Sequence, residues 1–266
     1  MKPVAMVLSV LFFLALPLGG QTIFPSPVHL TRQIADPIAN SVQVIEEYAY
    51  GNRLISVSGS RTTIADYEKG ELIEIDREAA TYSVTPFSVI AKSASQFGPS
   101  VSTAEVRGDR QPRIRVMGTD EVANGRAAER VEIRIGEGDF GQQIDLVLDR
   151  EASLTKEGLE VLLGAAYPGV RRPEHEAIIE AASAGAAATG AQSRVRGWKL
   201  PLEQVTTISV DDSEIEFRAT VVRVGDEAPP SELTAIPAGA RLVESRLSAV
   251  NRVLEDADKL VAPPRP

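Results

Sequence analysis

The chain has 266 residues, 43% of them hydrophobic and 24% charged, a composition that suits a globular protein with a buried core. It has no cysteine, which excludes disulfides, thiolate catalysis, iron–sulfur sites and a lipid-bearing lipoprotein cysteine, and its two histidines, His29 and His175, are too few for an imidazole-rich metal site. A formal charge of −9 argues against a general electrostatic grip on nucleic acid or on an anionic membrane.

Residues 1–20 read as an export signal. Lys2 gives a positive start, Val4 to Leu16 is apolar except for Ser9, and Pro17, Gly19 and Gly20 break the run. The run is shorter than the roughly 20 apolar residues a bilayer span needs. A cut after Gly20 would leave Leu18 where a small residue is usual, so an uncleaved N-terminal membrane anchor stays open as the minority reading. The expected destination is the periplasm or the outside of the cell, with no stable transmembrane span once the signal is removed.

Residues 21–40 read as an N-terminal segment and 41–243 as a single β-rich domain. Ser41 to Ser56 is expected as strand with a turn at Gly51-Asn52. Leu72 to Asp76 and Thr81 to Val84 form a hairpin through Arg77-Glu78-Ala79-Ala80, and Gly98 to Pro112 reads as a long loop. Val131, Ile133 and Ile135 alternate with Arg130, Glu132 and Arg134; Ile144, Leu146 and Leu148 with Gln143, Asp145 and Asp149; and Ile215, Phe217, Ala219 and Val221 with Glu214, Glu216, Arg218 and Thr220. Period two is the mark of a strand with one face buried, and it fits antiparallel sheet. Ile133, Ile144, Leu146, Ile215 and Phe217 are therefore expected to face the core. Val205 to Val210 turns through Asp211-Asp212 into the Ile215 strand.

A helical insertion is expected at about 154–190. Thr155 caps a helix that runs to Leu163, and Glu174 to about Ala188 follows Pro173, with an Ala/Gly-rich end at Ala181 to Gly190. The chain must leave the sheet here and return, and Leu159, Val161, Leu162, Leu163 and Tyr167 give the excursion an apolar body. Residues 244–266 read as a C-terminal helix, with Leu247, Val250, Leu254, Ala257 and Val261 in one stripe, and a Pro-rich tail. Two heptads are too few for a coiled coil, so the stripe is expected to pack on the protein's own sheet.

Four strings resemble catalytic motifs and fail on context. Gly136-Glu137-Gly138-Asp139-Phe140-Gly141 has dinucleotide-loop spacing, but a strand follows where a helix start must hold the pyrophosphate, and its acids would repel phosphate. Ser153-Leu154-Thr155-Lys156 fits the serine-acylase spacing without the Ser-Asp-Asn or Lys-Thr-Gly that complete that chemistry. His175-Glu176 starts a zincin-like string, yet Ile179 stands where the second ligand belongs. Asp211-Asp212 with Glu214 and Glu216 reads as a turn and a wet strand face. No catalytic residue, metal ligand or cofactor is assigned.

Thr62 to Ile90 reads TTIADYEKGELIEIDREAATYSVTPFSVI, with an Asp66-Tyr67 step, Gly70, Ile75-Asp76, Thr81-Tyr82-Ser83-Val84 and Pro86-Phe87. Together these resemble a family of exported bacterial domains of unknown function related to LolA-type lipoprotein carriers. Gly118-Thr119 to Asn124-Gly125-Arg126 is similar to that family's Gly-Thr-x-x-Ile-Asn-Gly step, with Ala128 where a cysteine is common. Asp149 to Lys156 and Ile236-Pro237-Ala238-Gly239-Ala240 are similar to its later junctions, in the same order. The resemblance implies a mainly β fold with α: a curved antiparallel half-barrel, LolA-like, covered by helices. In carrier relatives such a fold shelters acyl chains, and no catalytic residue comes with it. Two functions follow as expectations. One is a non-catalytic binding module for a lipid or other hydrophobic ligand, lidded by Leu159, Leu162, Leu163 and Tyr167. The other is a structural or protein-interaction domain that contacts an envelope protein and has a filled interior. A contiguous apolar cavity of several hundred Å³ would separate the first from the second.

Overall fold

The computed structural model of the protein describes residues 22–97, 112–136, 140–164, 166–167, 172–184, 197–210 and 213–252. The expected signal segment 1–20, nearly all of the expected loop over Gly98 to Pro112, the expected turn pair Asp211-Asp212, the last part of the Ala/Gly-rich stretch and the Pro-rich tail lie outside the described residues.

Alternating segments become strands, as the period-two pattern requires. In chain order they are β1 (Phe24–Asp36), β2 (Ser41–Gly51), β3 (Arg53–Ser58), β4 (Arg61–Asp66), β5 (Glu71–Asp76), β6 (Thr81–Pro86), β7 (Arg113–Ala123), β8 (Arg126–Ile135), β9 (Phe140–Asp149), β10 (Pro201–Val210), β11 (Ser213–Gly225) and β12 (Arg241–Leu242). Helix α1 (Phe87–Phe97) follows β6, and α2 (Lys156–Leu162) and α3 (Pro173–Ala184) lie between β9 and β10. A fourth helix, α4, starts at residue 246 and is described to 252.

All twelve strands join one open, curved sheet in the order β12-β6-β5-β4-β3-β2-β1-β11-β10-β9-β8-β7. Every neighbour is antiparallel except the short β12, which runs parallel to β6. The chain is thus mainly β with helices, as expected. Between β7 and β8, Asn124 and Gly125 both have positive φ, 52° and 75°. That is the geometry of the two-residue hairpin turn, which Asn-Gly favours because its twist matches that of the strands.

Residues 21–40, expected to precede the domain, instead carry a strand at the middle of the sheet. β1 lies between β2 and β11 and joins the two halves of the meander. Leu30 and Ile34 share the phase that buries Leu30, and pairing with β2 breaks between Phe24 and Val28, where Pro25 and Pro27 have no N–H to give.

Cover comes from both sides. On one face, Ala177, Ile178 and Ala181 of α3 pack on Val131, Ile133, Ile144 and Leu146, while Leu159 and Leu162 of α2 join Leu30, Ala49, Leu54 and Ala65. On the other face, Tyr48, Ile55, Ile64 and Ile75 form a third cluster, closed by Leu233 from the segment after β11. That segment is a strap. Arg77 Nη2 donates to the Glu232 carbonyl at 3.0 Å, and Arg241 N and Val243 N donate to the carbonyls of Ala80 and Tyr82 at 2.9 and 2.8 Å. Within its described part, α4 meets α1 through Asn251 Nδ2, which donates to Ser93 Oγ at 3.0 Å. Leu247 and Val250, expected on a buried stripe, are exposed.

Candidate functional site

Sheet register defines one continuous face. Ile144 of β9 lies opposite Ile133 of β8 and Thr206 of β10. Thr206 lies opposite Phe217 of β11, Ala219 opposite Ile34 of β1, and Val221 opposite Arg32, which in turn faces Ile45 of β2. Directly paired residues point to the same side, and residues two apart on a strand do too. Ile208, Ile215, Phe217, Ala219, Ile34 and Ile45 therefore continue the face on which α2 and α3 sit.

The helices fill only part of that face. Ile133, Ile144 and Leu146 are fully buried. Ile215 and Ile208 are 39% and 36% exposed, and Phe217, Ile34 and Ile45 are half-buried. The expectation that Ile215 and Phe217 belong to the core is thus corrected. Their phase is right, but α3 packs at the β8–β9 end and the described helices leave the β10–β11 end uncovered. What results is an apolar strip open at the surface and continuous with the core.

The expected lid is packed core. Leu159 and Leu162 are buried, and Leu163 and Tyr167 are half-buried. Thr155 Oγ1 accepts from Gly158 N at 2.9 Å as the N-cap of α2 and donates to the Ile23 carbonyl at 2.6 Å, which ties the helix to the start of the central strand. Gly158 lets them meet: a Cβ there would lie 3.1 Å from Phe24 Cε1 and 3.4 Å from the Ile23 carbonyl oxygen. Tyr167 packs against Phe87 and Tyr67, with ring centroids 5.4 and 6.1 Å apart. Burial holds the hydroxyls of both tyrosines above the usual phenol range.

Beneath the end of α2 lies a cavity of about 20 Å³ lined by Leu162, Leu163, Leu200, Pro201, Gln204, Ala219, Val221 and Arg32. It is water-sized, well short of the several hundred Å³ that the ligand-binding expectation asks of an enclosed cavity. At its edge is an ion pair that the sequence reading did not single out. Arg32 Nη2 sits 3.0 Å from Glu47 Oε2, with side-chain exposures of 17% and 12%. Burial raises the Glu47 carboxyl above the usual carboxylate range, and the neighbouring guanidinium offsets part of that shift. Arg32 Nε is buried with no hydrogen-bond partner among the described residues. One signal could have found the pair. Arg32 stands in phase with Leu30 and Ile34, and Glu47 with Ile45 and Ala49, so each puts a charge where alternation calls for an apolar side chain.

The opposite face holds a different polar group. His29 is buried and stacks on Tyr48 with ring centroids 4.2 Å apart, and its Nδ1 lies 3.2 Å from Glu227 Oε2 of the strap. Among the described residues no group of three or more His, Asp or Glu could hold a metal ion, and no helix is long and apolar enough to cross a membrane.

No protein-family model matches the sequence, and no curated protein was found to match it. Among solved structures the chain has a likeness to PNGF-II at 6% identity and a TM-score of 0.35, covering 86% of this chain and 33% of that one. The chain thus spans about a third of the length of that protein.

Proposed function

We propose that the protein is an exported, non-catalytic binding module with a LolA-like half-barrel, and that it takes a hydrophobic ligand on the open strip formed by Ile34, Ile45, Ile208, Ile215 and Phe217. One observation supports this reading: the apolar side of the sheet extends past the described helices, so in-phase isoleucines and a phenylalanine meet solvent on the core face. Half-covered apolar surface of this kind gains free energy when a ligand completes the cover, at about 25 cal/mol per Å² removed from water. The ligand lies along the sheet beside α2 rather than beneath it, because Leu159 and Leu162 are committed to the core.

The test is titration with an uncharged environment-sensitive apolar dye. Wild-type protein binds it, and Ile215→Asp with Ile208→Asp abolishes the signal while circular dichroism stays unchanged. Absence of binding by the wild type would overturn the reading. The interaction-domain alternative is favoured by another observation: Ile38, Val42 and Val44 at the β1–β2 hairpin are exposed to 77%, 63% and 51%. Dye binding that survives the strip substitutions and is lost on Val42→Asp would place the contact on that hairpin.

A further inference from the structure

The strip has a polar end, the Arg32–Glu47 ion pair, in which Arg32 supplies the N–H donors. Arg32 stands opposite Val221 on the same face, lines the small cavity together with Gln204, and adjoins Ile34 and Ile45. From Val221 to Ile215 the strand rises about 20 Å at roughly 3.3 Å per residue, so the uncovered apolar surface runs from Arg32 towards the β10–β11 hairpin over the length of a long acyl chain. Resting on the reading of this strip as a ligand site, we propose that its ligand is a long-chain carboxylate, with the chain along Ile34, Phe217, Ile215 and Ile208 and the head group held by the Arg32 guanidinium.

Hydrogen-bond capacity supports this choice of head group. A guanidinium carries five N–H donors in a planar fork suited to a carboxylate. Glu47 Oε2 lies 3.0 Å from Arg32 Nη2 as an ion pair without a hydrogen bond, and Nε is buried with no partner, so the fork has donors left for an added acceptor. An unmet donor at this depth costs free energy that an incoming oxygen recovers. The protein is acidic overall, at −9, so long-range attraction does not draw an anion in. Recognition has to come from Arg32 itself at short range. An uncharged amphiphile of the same length would gain the apolar contact without the ion pair. Glu47 competes for the same guanidinium, which makes it a brake on affinity.

The experiment compares palmitate with cetyl alcohol, each displacing the uncharged dye from the full chain. Wild-type protein is expected to bind palmitate about tenfold or more tightly than the alcohol, the size of effect a charge-assisted contact supplies. Glu47→Gln is expected to tighten palmitate and leave the alcohol unchanged. Because Arg32→Gln alone strands a buried carboxylate and can unfold the protein, the decisive variant is Arg32→Gln with Glu47→Gln. It keeps the strip and is expected to bind both molecules equally, at the affinity of the alcohol for wild type. Equal affinities in the wild type, or a palmitate preference that survives in the double variant, would overturn the head-group assignment while leaving the strip as a ligand site. Displacement of the dye by neither molecule would overturn it too, and dye that does not bind at all removes the ligand site with it.

Discussion

Ile144 and Ile215 carry the same side chain on the same face of one sheet, and the structure gives them different cover. Ile144→Ala removes three carbons from a site with no exposure, enclosed by Ile133 and the α3 residues Ala177 and Ile178. At about 0.8 kcal/mol per buried carbon the transfer loss is about 2.4 kcal/mol. A residual cavity in close-packed surroundings brings the total to about 3–4 kcal/mol. Ile215 is 39% exposed, so its substitution forfeits roughly three-fifths of that transfer loss, about 1.5 kcal/mol, and water fills the space without a cavity cost. Urea unfolding measures both. The expected result is a gap of about 2 kcal/mol with unchanged denaturant slopes, which corresponds to roughly 4–8 °C in melting temperature for a chain of this size. Losses that agree within about 0.5 kcal/mol would refute the claim that the helices stop short of the β10–β11 end.

Leu159→Asp with Leu162→Asp is expected to remove the folded state by far-UV circular dichroism, because each buries an unpaired carboxylate at more than about 3 kcal/mol; a folded variant that merely loses ligand would restore the lid. Gly158→Ala puts a methyl group 2.9 Å from the capping Thr155 Oγ1 and against Phe24 and the Ile23 carbonyl, and the expected loss is about 1–3 kcal/mol in chemical unfolding. Thr155→Ala removes both the helix cap and the bond to Ile23, for about 1–2 kcal/mol in the same assay. For Glu47, a carboxyl raised by burial holds its proton more tightly when folded than when unfolded. Wild type therefore loses stability as pH rises from the ordinary glutamate value through the raised one, and that component of the slope is expected to vanish in Glu47→Gln when melting temperatures are followed against pH.

Much of the sheet could be read before any coordinates. Val131 to Ile135 and Ile215 to Val221 alternate against polar, mostly charged neighbours, and a strand leaves few other ways to keep those charges wet. The Thr155 cap was legible because it depends on residues within a few positions. The central strand β1 was not, because Pro25 and Pro27 hide it at its start and its register is decided by β2 and β11. The α1 helix, with Phe87 and Ile90 buried but serines through its length, was also missed; its cover is set by the sheet beneath it and by α4.

The candidate site divides along the same line. Alternation by itself determined which residues share a face, so Ile133, Ile144, Leu146, Ile215 and Phe217 were assigned to one side. It carried no information about how far the helices reach across that side. Burial is a property of neighbours distant in sequence, and a side chain's phase on its own strand does not say whether anything stands in front of it. Only the tertiary structure decided that Leu159 and Leu162 belong to the core, that Ile215 meets solvent, and that Arg32 and Glu47, fifteen positions apart in the chain, are paired at 3.0 Å at the head of the open strip.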